Sequence, residues 1–318
     1  MRGRAVLSHL ISSQWEHTKW GGVVPELASR AHLRTIGGMV VEALRESSVE
    51  GIDAVAVTVE PGLIGSLLVG VNVAKGLAVA RGVPLIGVNH IEAHLHSILL
   101  DHPDLEWPWL ALVVSGGHTL LYACTEPGDY TLLGATRDDA AGEAFDKGAK
   151  LLGLGYPGGP IVDELAQSGD RTAVRFPRGL LSPDSLDFSF SGLKTSLRYH
   201  LRDHYNGSAP DGGALNDLCA SYQEAIVDTL VTKTLRAAGR AGLERIAVVG
   251  GVAANSRLRR LMAERCAASG RTSYTVSPIY GTDNAAMIGL VGATRFESGA
   301  FTPITVTARA SSIRAARR

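Results

Sequence analysis

The chain has 318 residues, 45% hydrophobic and 19% charged, a balance that excludes a disordered polypeptide and fits an ordinary globular protein with room for two lobes. Its 31 basic and 31 acidic residues cancel, so no global field marks a nucleic-acid binder and any such contact has to come from a local patch. Cys124, Cys219 and Cys266 are odd in number and widely spaced, no apolar run reads as a membrane span, and no apolar leader precedes a cleavage site, so the sequence reads as cytoplasmic.

Taken in chain order, Val24-Pro25 opens a helix with proline at its first position, running to about Arg45. A buried strand over 53–59, a Pro61-Gly62 turn and a helix over 66–81 follow, with Gly70 and Gly76 read as close-packing positions. Residues 84–88 form a short buried strand, and Asn89 suits the N-cap of a helix that begins His90-Ile91-Glu92-Ala93-His94 and continues through Leu95, Ile98 and Leu99. Trp109–Val114, the turn Ser115-Gly116-Gly117 and a returning strand over 118–124 make a β-hairpin that opens the second lobe. The expected domains are therefore 1–108 and 109–318. Helices are expected over 139–152, 159–167, 191–202, 214–238, 255–268 and 283–297, and strands over Arg245–Val249 and 273–276. The tail carries Arg309, Arg314, Arg317 and Arg318 without an acidic residue, either a local basic patch or a solvated end.

His90 and His94 stand one helical turn apart on one face, about 5–6 Å apart at Cβ, so both imidazoles can reach a single metal ion. The alternative is a pair of satisfied or exposed helical histidines. A zincin needs glutamate directly after the first histidine; here Glu92 sits two residues on and faces away, which leaves a protease without its general base. His96, two residues from His94, cannot share that face.

Three glycine-rich turns could approach a nucleotide. In Ser115-Gly116-Gly117 the absent Cβ atoms let backbone N–H groups near phosphate oxygens, although a glycine hairpin turn needs no ligand. Gly250-Gly251 leads from a buried strand towards a helix whose Asn255 is either an N-cap or a contact for a polar ring edge. Gly155-Tyr156-Pro157-Gly158-Gly159-Pro160 precedes Asp163, a carboxylate suited to ribose hydroxyls, or is simply a rigid loop. Asp139, Glu143 and Asp146 cluster at a helix start with Lys147 beside Glu143, and Asp283 is by default the N-cap of the last long helix. A cap carboxylate is also a hard ligand of the type that completes a His, His, Asp site.

The order of these segments is more specific than any one of them. His-x-Glu-x-His, Val-Ser-Gly-Gly-His-Thr, Asp-Asp-Ala-Ala-Gly-Glu-Ala-Phe-Asp-Lys, Gly-Tyr-Pro-Gly-Gly-Pro, Phe-Ser-Phe-Ser-Gly-Leu-Lys-Thr, Gly-Gly-Val-Ala-Ala-Asn-Ser-Arg-Leu-Arg and Thr-Asp-Asn-Ala-Ala-Met-Ile-Gly follow one another here. In this the chain resembles, from about Gly21 to Gly299, the TsaD family of tRNA N6-adenosine threonylcarbamoyltransferases, once labelled O-sialoglycoprotein endopeptidases. His118 in the hairpin matches the bacterial branch.

The resemblance implies an α/β, two-lobed actin-like and sugar-kinase-like fold with a nucleotide in the cleft. It puts the metal ligands, which are also the catalytic set, on His90, His94 and Asp283, with iron(II) the usual metal and zinc an alternative. Nucleotide contacts fall on Val113, Val114, Ser115, Gly116, Gly117, Asp146, Gly159, Asp163 and Asn255. The implied reaction moves a threonylcarbamoyl group from threonylcarbamoyl-AMP to N6 of the adenosine at position 37 of tRNAs reading codons that begin with A. The implied partners are tRNA, a catalytically silent paralogue of the same fold and a P-loop ATPase, with no membrane. A metalloprotease and an inactive partner-binding scaffold are the rival classes. Family members open with a strand and a Thr-Ser-Cys-Asp-Glu-Thr-like turn, where this chain has only Met1 to Trp20. Residues 6–14 are expected to form the last strand of the opening hairpin, with the strands before it missing.

Overall fold

Where the chain carries its longest unbroken apolar runs, strands form and are covered on both faces, as at Trp109–Val114, buried at every position. The structure, a computed structural model, describes residues 1–12, 24–180, 182 and 184–311. Its elements are α1 (Pro25–Ser47), β1 (Val55–Glu60), α2 (Ile64–Arg81), β2 (Leu85–Asn89), α3 (His90–Asp101), β3 (Trp109–Val114), β4 (Thr119–Glu126), β5 (Asp129–Ala135) and α4 (Ala141–Leu151). There follow α5 (Gly158–Ala166), α6 (Ser191–Tyr205), α7 (Gly212–Ala241), β6 (Arg245–Val249), α8 (Ser256–Ala268), β7 (Thr272–Thr275), α9 (Pro278–Gly281) and α10 (Ala285–Glu297).

Two compact units result. The first joins Met1–Leu100 to Asp283–Arg318, and the second is the continuous segment Asp101–Thr282. In the first unit β1 and β2 pair in parallel, Val55 opposite Leu85 and Thr58 opposite Val88. The α10 residues Met287, Ile288 and Val291 pack with Ile86, Val88 and Ala93 in one buried cluster. That cluster explains the difference from the expected 1–108 and 109–318: α10 needs the small sheet to cover its apolar face, so the C-terminal segment groups with the first unit. The α2 residues Ala74 and Ala78 close over Leu85 on another part of the sheet.

The second unit holds a five-stranded sheet in the order β5-β4-β3-β6-β7. The expected hairpin is present as antiparallel β3-β4, and β6 runs parallel to β3 with Val113 opposite Val249. The strand β5, which the sequence reading did not anticipate, extends the hairpin at its open edge.

Other expectations change. Residues 6–12 form no strand, and the rest of the expected strand lies outside the described residues. Among the described residues a Cβ at Gly76 would meet nothing within 4 Å, so no close packing there requires that glycine. By length and composition α2 could cross a membrane, contrary to the expectation that no segment would pass that test; here it packs with β1 and α1, burying Val71, Ala74 and Ala78. Arg309 is tied down, its N–H donating to the Val59 carbonyl at 2.9 Å and its guanidinium 3.5 Å from Glu60. Arg314, Arg317 and Arg318 lie outside the described residues.

Candidate functional site

Asn89 starts α3 as expected: its Oδ1 accepts from the N–H groups of Ile91 at 2.8 Å and Glu92 at 3.2 Å. His90 is thereby the first helical residue and His94 lies one turn on, their rings edge to face with centroids 4.6 Å apart. His94 is fully buried, and its Nδ1 has no hydrogen-bond partner among the described residues. Its Nε2 is therefore the atom turned towards a polar group.

That group is Asp283. The expected N-cap of α10 is instead Asn284, whose Oδ1 accepts from Met287 N–H at 2.9 Å. Capping by the next residue leaves the Asp283 carboxylate free of the helix, and its Oδ1 lies 3.3 Å from Nε2 of both His90 and His94. Two donors each bonded to one transition metal at about 2.0–2.2 Å sit roughly 3 Å apart, so this spacing fits a shared ion. Among the described residues this is the group of three whose donor atoms, within 4.8 Å of one another, could hold a metal. The Asp283 side chain is 77% exposed while His94 is sealed, giving the site a closed back and an open front. Although the Asp283 side chain reaches solvent, the protein gathered around it pushes its carboxyl up; hydrogen bonds and charge from the two imidazoles outweigh this and hold the group well below the ordinary carboxylate range.

Glu92 faces away from the histidine pair, as expected. Its Oε2 is 2.6 Å from Arg295 Nη2, while Arg295 Nη1 donates to the Gly87 carbonyl at 2.5 Å. One guanidinium from α10 thus holds both the strand before α3 and α3 itself. His96 stays outside the ligand set; burial first, then the charges of Arg295 and Arg4, push it down to about 4.

The other candidate residues lie in the second unit, where the C-terminal ends of parallel β3 and β6 come together. Open α/β sheets bind ligands beyond such ends. The Gly250 backbone, at φ 97°, passes so close to Val114 that a Cβ would stand 2.3 Å from its carbonyl oxygen. Beside it the Ser115 carbonyl accepts from Gly142 N–H at 3.2 Å, bringing the start of α4 against the hairpin turn. A Cβ at Gly116 or Gly117 would meet nothing within 4 Å, and neither has a positive φ. The fold itself does not require glycine there.

The carboxylates are engaged with helix starts. Asp146 Oδ1 accepts from Gly158 N–H at 2.7 Å, and burial raises the Asp146 carboxyl against that bond. Asp163 accepts from Ser256 N–H and Oγ, both at 2.8 Å, at the first turn of α8. Asn255 takes the N-cap role, accepting from Leu258 N–H at 2.9 Å and donating to Gln223 Oε1 at 2.6 Å. Asp139 and Glu143 both pair with Lys147, at 2.6 and 2.9 Å. The sequence reading missed Arg295, Asn284, Gly142 and Gln223, since each is defined by a partner distant in sequence or by a neighbour's role.

The model of one family, tRNA N6-adenosine threonylcarbamoyltransferase TsaD, matches residues 5–290. The chain belongs to the TsaD family. Relatives carrying that name include the protein of Anaeromyxobacter dehalogenans strain 2CP-C, 57% identical over 294 residues, covering 91% of this chain and 87% of that one. The protein of Syntrophus aciditrophicus strain SB is 50% identical over 309 residues, 96% of this chain and 90% of its own. Among solved structures, full-length HypF in a phosphate- and nucleotide-bound form superposes with a TM-score of 0.61 at 15% identity, over 83% of this chain and 50% of that one. HypF of T. kodakarensis gives 0.57 at 13% identity, over 81% of this chain and 44% of that one. The chain spans about half the length of these two structures, and at such identities the likeness is one of fold.

Proposed function

We propose that this TsaD-family chain transfers the threonylcarbamoyl group of threonylcarbamoyl-AMP to N6 of adenosine 37 in tRNAs reading codons that begin with A. The observation that carries the reading is the meeting of His90, His94 and Asp283 around one point in a chain whose family match runs over residues 5–290. The finer fold assignment is actin-like and sugar-kinase-like, and the cellular site is the cytoplasm.

The donor set, two imidazole nitrogens and one carboxylate oxygen, suits iron(II), with zinc the alternative. When bound, the cation supplies Lewis-acid polarisation of the acyl group, which a poor nucleophile such as the adenine amine needs. The chain's own groups do the positioning. The Ser115 N–H is given to the His118 carbonyl at 2.9 Å, but the N–H groups of Gly116 and Gly117, where no Cβ stands in the way, suit phosphate oxygens, with Val113 and Val114 leading into that turn. Asp146 and Asp163 hold helix starts with part of their acceptor capacity, and a carboxylate's remaining lone pairs can take ribose hydroxyls beside Gly159. Asn255, fixed by Gln223 and the α8 backbone, keeps one amide N–H and one oxygen lone pair that suit the edge of the adenine.

Partners of two kinds fit this reading, a silent paralogue of the same fold and a P-loop ATPase. A partner for the first unit is supported by α1, which buries only Ala28 and exposes Leu33 and Val41 at 67% each, and by exposed Leu68 and Val79 on α2. The deciding experiment supplies threonylcarbamoyl-AMP, tRNA and both partners and reads modified adenosine by nucleoside mass spectrometry. Modification that disappears in His94→Ala, together with its bound metal, is the expected result. No modified adenosine with the unsubstituted chain would leave the scaffold reading. Casein cleavage that a chelator stops would revive the protease, against which the engagement of Glu92 with Arg295 already weighs.

A further inference from the structure

The helix α6 has two chemically opposite faces. Leu193, Leu197 and Leu201, spaced by four, are buried, while Lys194, Arg198 and Arg202, at the same spacing one residue on, are exposed. Successive members of that basic line rise about 6 Å along the helix. Tyr199 stands beside them, 47% exposed, with the Arg198 guanidinium 5.7 Å and the Arg202 guanidinium 4.8 Å from its ring centroid. Asp203, the helix's one acidic residue, binds Arg202 Nε at 2.7 Å and fixes that guanidinium further.

Two guanidinium groups held on one aromatic ring are planar donors set in place before a ligand arrives, which lowers the ordering cost of binding. They border a shallow hollow of about 350 Å³ whose remaining wall is Leu151, Leu201 and Gly207. An apolar hollow with an aromatic wall and a cationic rim matches an unpaired nucleotide, its base against Tyr199 and its flanking phosphates on the arginines. The chain is neutral overall, so an anionic polymer finds no general attraction and needs such a patch.

We propose that the exposed face of α6, with Lys194, Arg198, Tyr199 and Arg202, is an RNA-docking surface that takes an unpaired nucleotide of the tRNA substrate. The assignment rests on the transferase reading above for the identity of the RNA.

The test is fluorescence anisotropy of labelled tRNA with the full chain across a salt series. Tyr199→Ala should weaken binding about 5-fold or more, with Tyr199→Phe close to the unsubstituted chain, because stacking needs the ring and not the hydroxyl. The double variant Arg198→Ala, Arg202→Ala should also lower the slope of log affinity against log salt by about 1.5, the value for two lost phosphate contacts. The control Arg260→Ala, an exposed arginine on α8, should lower neither to this extent. Equal affinity and slope in all variants, or no tRNA binding by the unsubstituted chain, would overturn the surface. The transferase reading fails separately, as RNA bound through α6 but never modified by the complete system.

Discussion

Replacing Arg295 by alanine tests how α3 and α10, which frame the histidine–aspartate cluster, are held together. The Glu92 side chain is 15% exposed and the Arg295 side chain 33%, so the pair lies between a buried ion pair, where loss of one partner costs about 3–5 kcal/mol, and a surface one worth about 0–1 kcal/mol. Arg295→Ala also removes the donor to the Gly87 carbonyl, adding roughly 1 kcal/mol. A destabilisation of about 2–3 kcal/mol at pH 7.5 follows. The cost should depend on pH. Burial raises the Glu92 carboxyl above its ordinary value, and the charge and hydrogen bond of Arg295 oppose that rise. A carboxyl raised in the folded state gives stability that is complete below its unfolded pKa and is lost as pH climbs through the folded one. Without Arg295 the rise is larger, so the deficit should be small near pH 4 and grow towards neutrality. Glu92→Gln, which keeps an acceptor for Arg295, should lose less and flatten the profile. Urea unfolding at pH 4 and pH 7.5 measures both effects, and metal titration of the folded variants should show affinity lowered by about 10–100-fold. An Arg295→Ala protein within about 0.5 kcal/mol of the parent at pH 7.5, with unaltered metal affinity, would refute the reasoning.

Asp283 and its neighbour should separate cleanly. Asp283→Asn is expected to abolish metal uptake in elemental analysis and, because the carboxylate that the two imidazoles hold low is lost, to melt somewhat below the metal-free parent at pH 7.5, whereas Asn284→Ala should cost about 1 kcal/mol through the lost α10 cap with the three donors still in place. Gly117→Val should melt like the parent, since nothing lies within 4 Å of its Cβ, yet lose affinity for ATP in calorimetry; retained affinity would make the turn purely structural. Gly250→Ala should instead destabilise by at least about 1–3 kcal/mol, because φ is 97° and the new Cβ would stand 2.3 Å from the Val114 oxygen. Lys233→Met should cost about 1–3 kcal/mol in urea unfolding, because the buried ammonium donates to the Leu180 and Ser185 carbonyls at 2.6 and 3.1 Å.

What could be read in the sequence depended on how local its cause was. Trp109–Val114 and Arg245–Val249 were legible to the residue because fully covered strands are unbroken apolar runs. Asp129–Ala135 was not, since an edge strand alternating polar and apolar positions within a short stretch resembles a loop. The histidine pair was legible from helical spacing alone. Asp283 was visible locally only as a cap, and the fact that Asn284 takes that role depends on which residue faces the helix backbone. Arg295 carried no local signal at all, since its partners Glu92 and Gly87 lie 203 and 208 residues away.

The insertion of the whole second unit, Asp101–Thr282, between the histidines and the aspartate has a consequence for how the protein is made. On the ribosome the histidine pair emerges early, but Asp283 follows only after the entire intervening unit has been synthesised. A nascent chain can thus offer two imidazoles and no carboxylate for most of its translation, and the three donors meet only as the fold is completed. The inserted unit also carries its own clasp, Asp101 Oδ2 accepting from Ser277 N–H at 2.6 Å, which keeps its two ends near each other. On the metal reading proposed above, loading is a late event in the life of the polypeptide, and a chain that stalls before Asp283 carries the two histidines without the carboxylate.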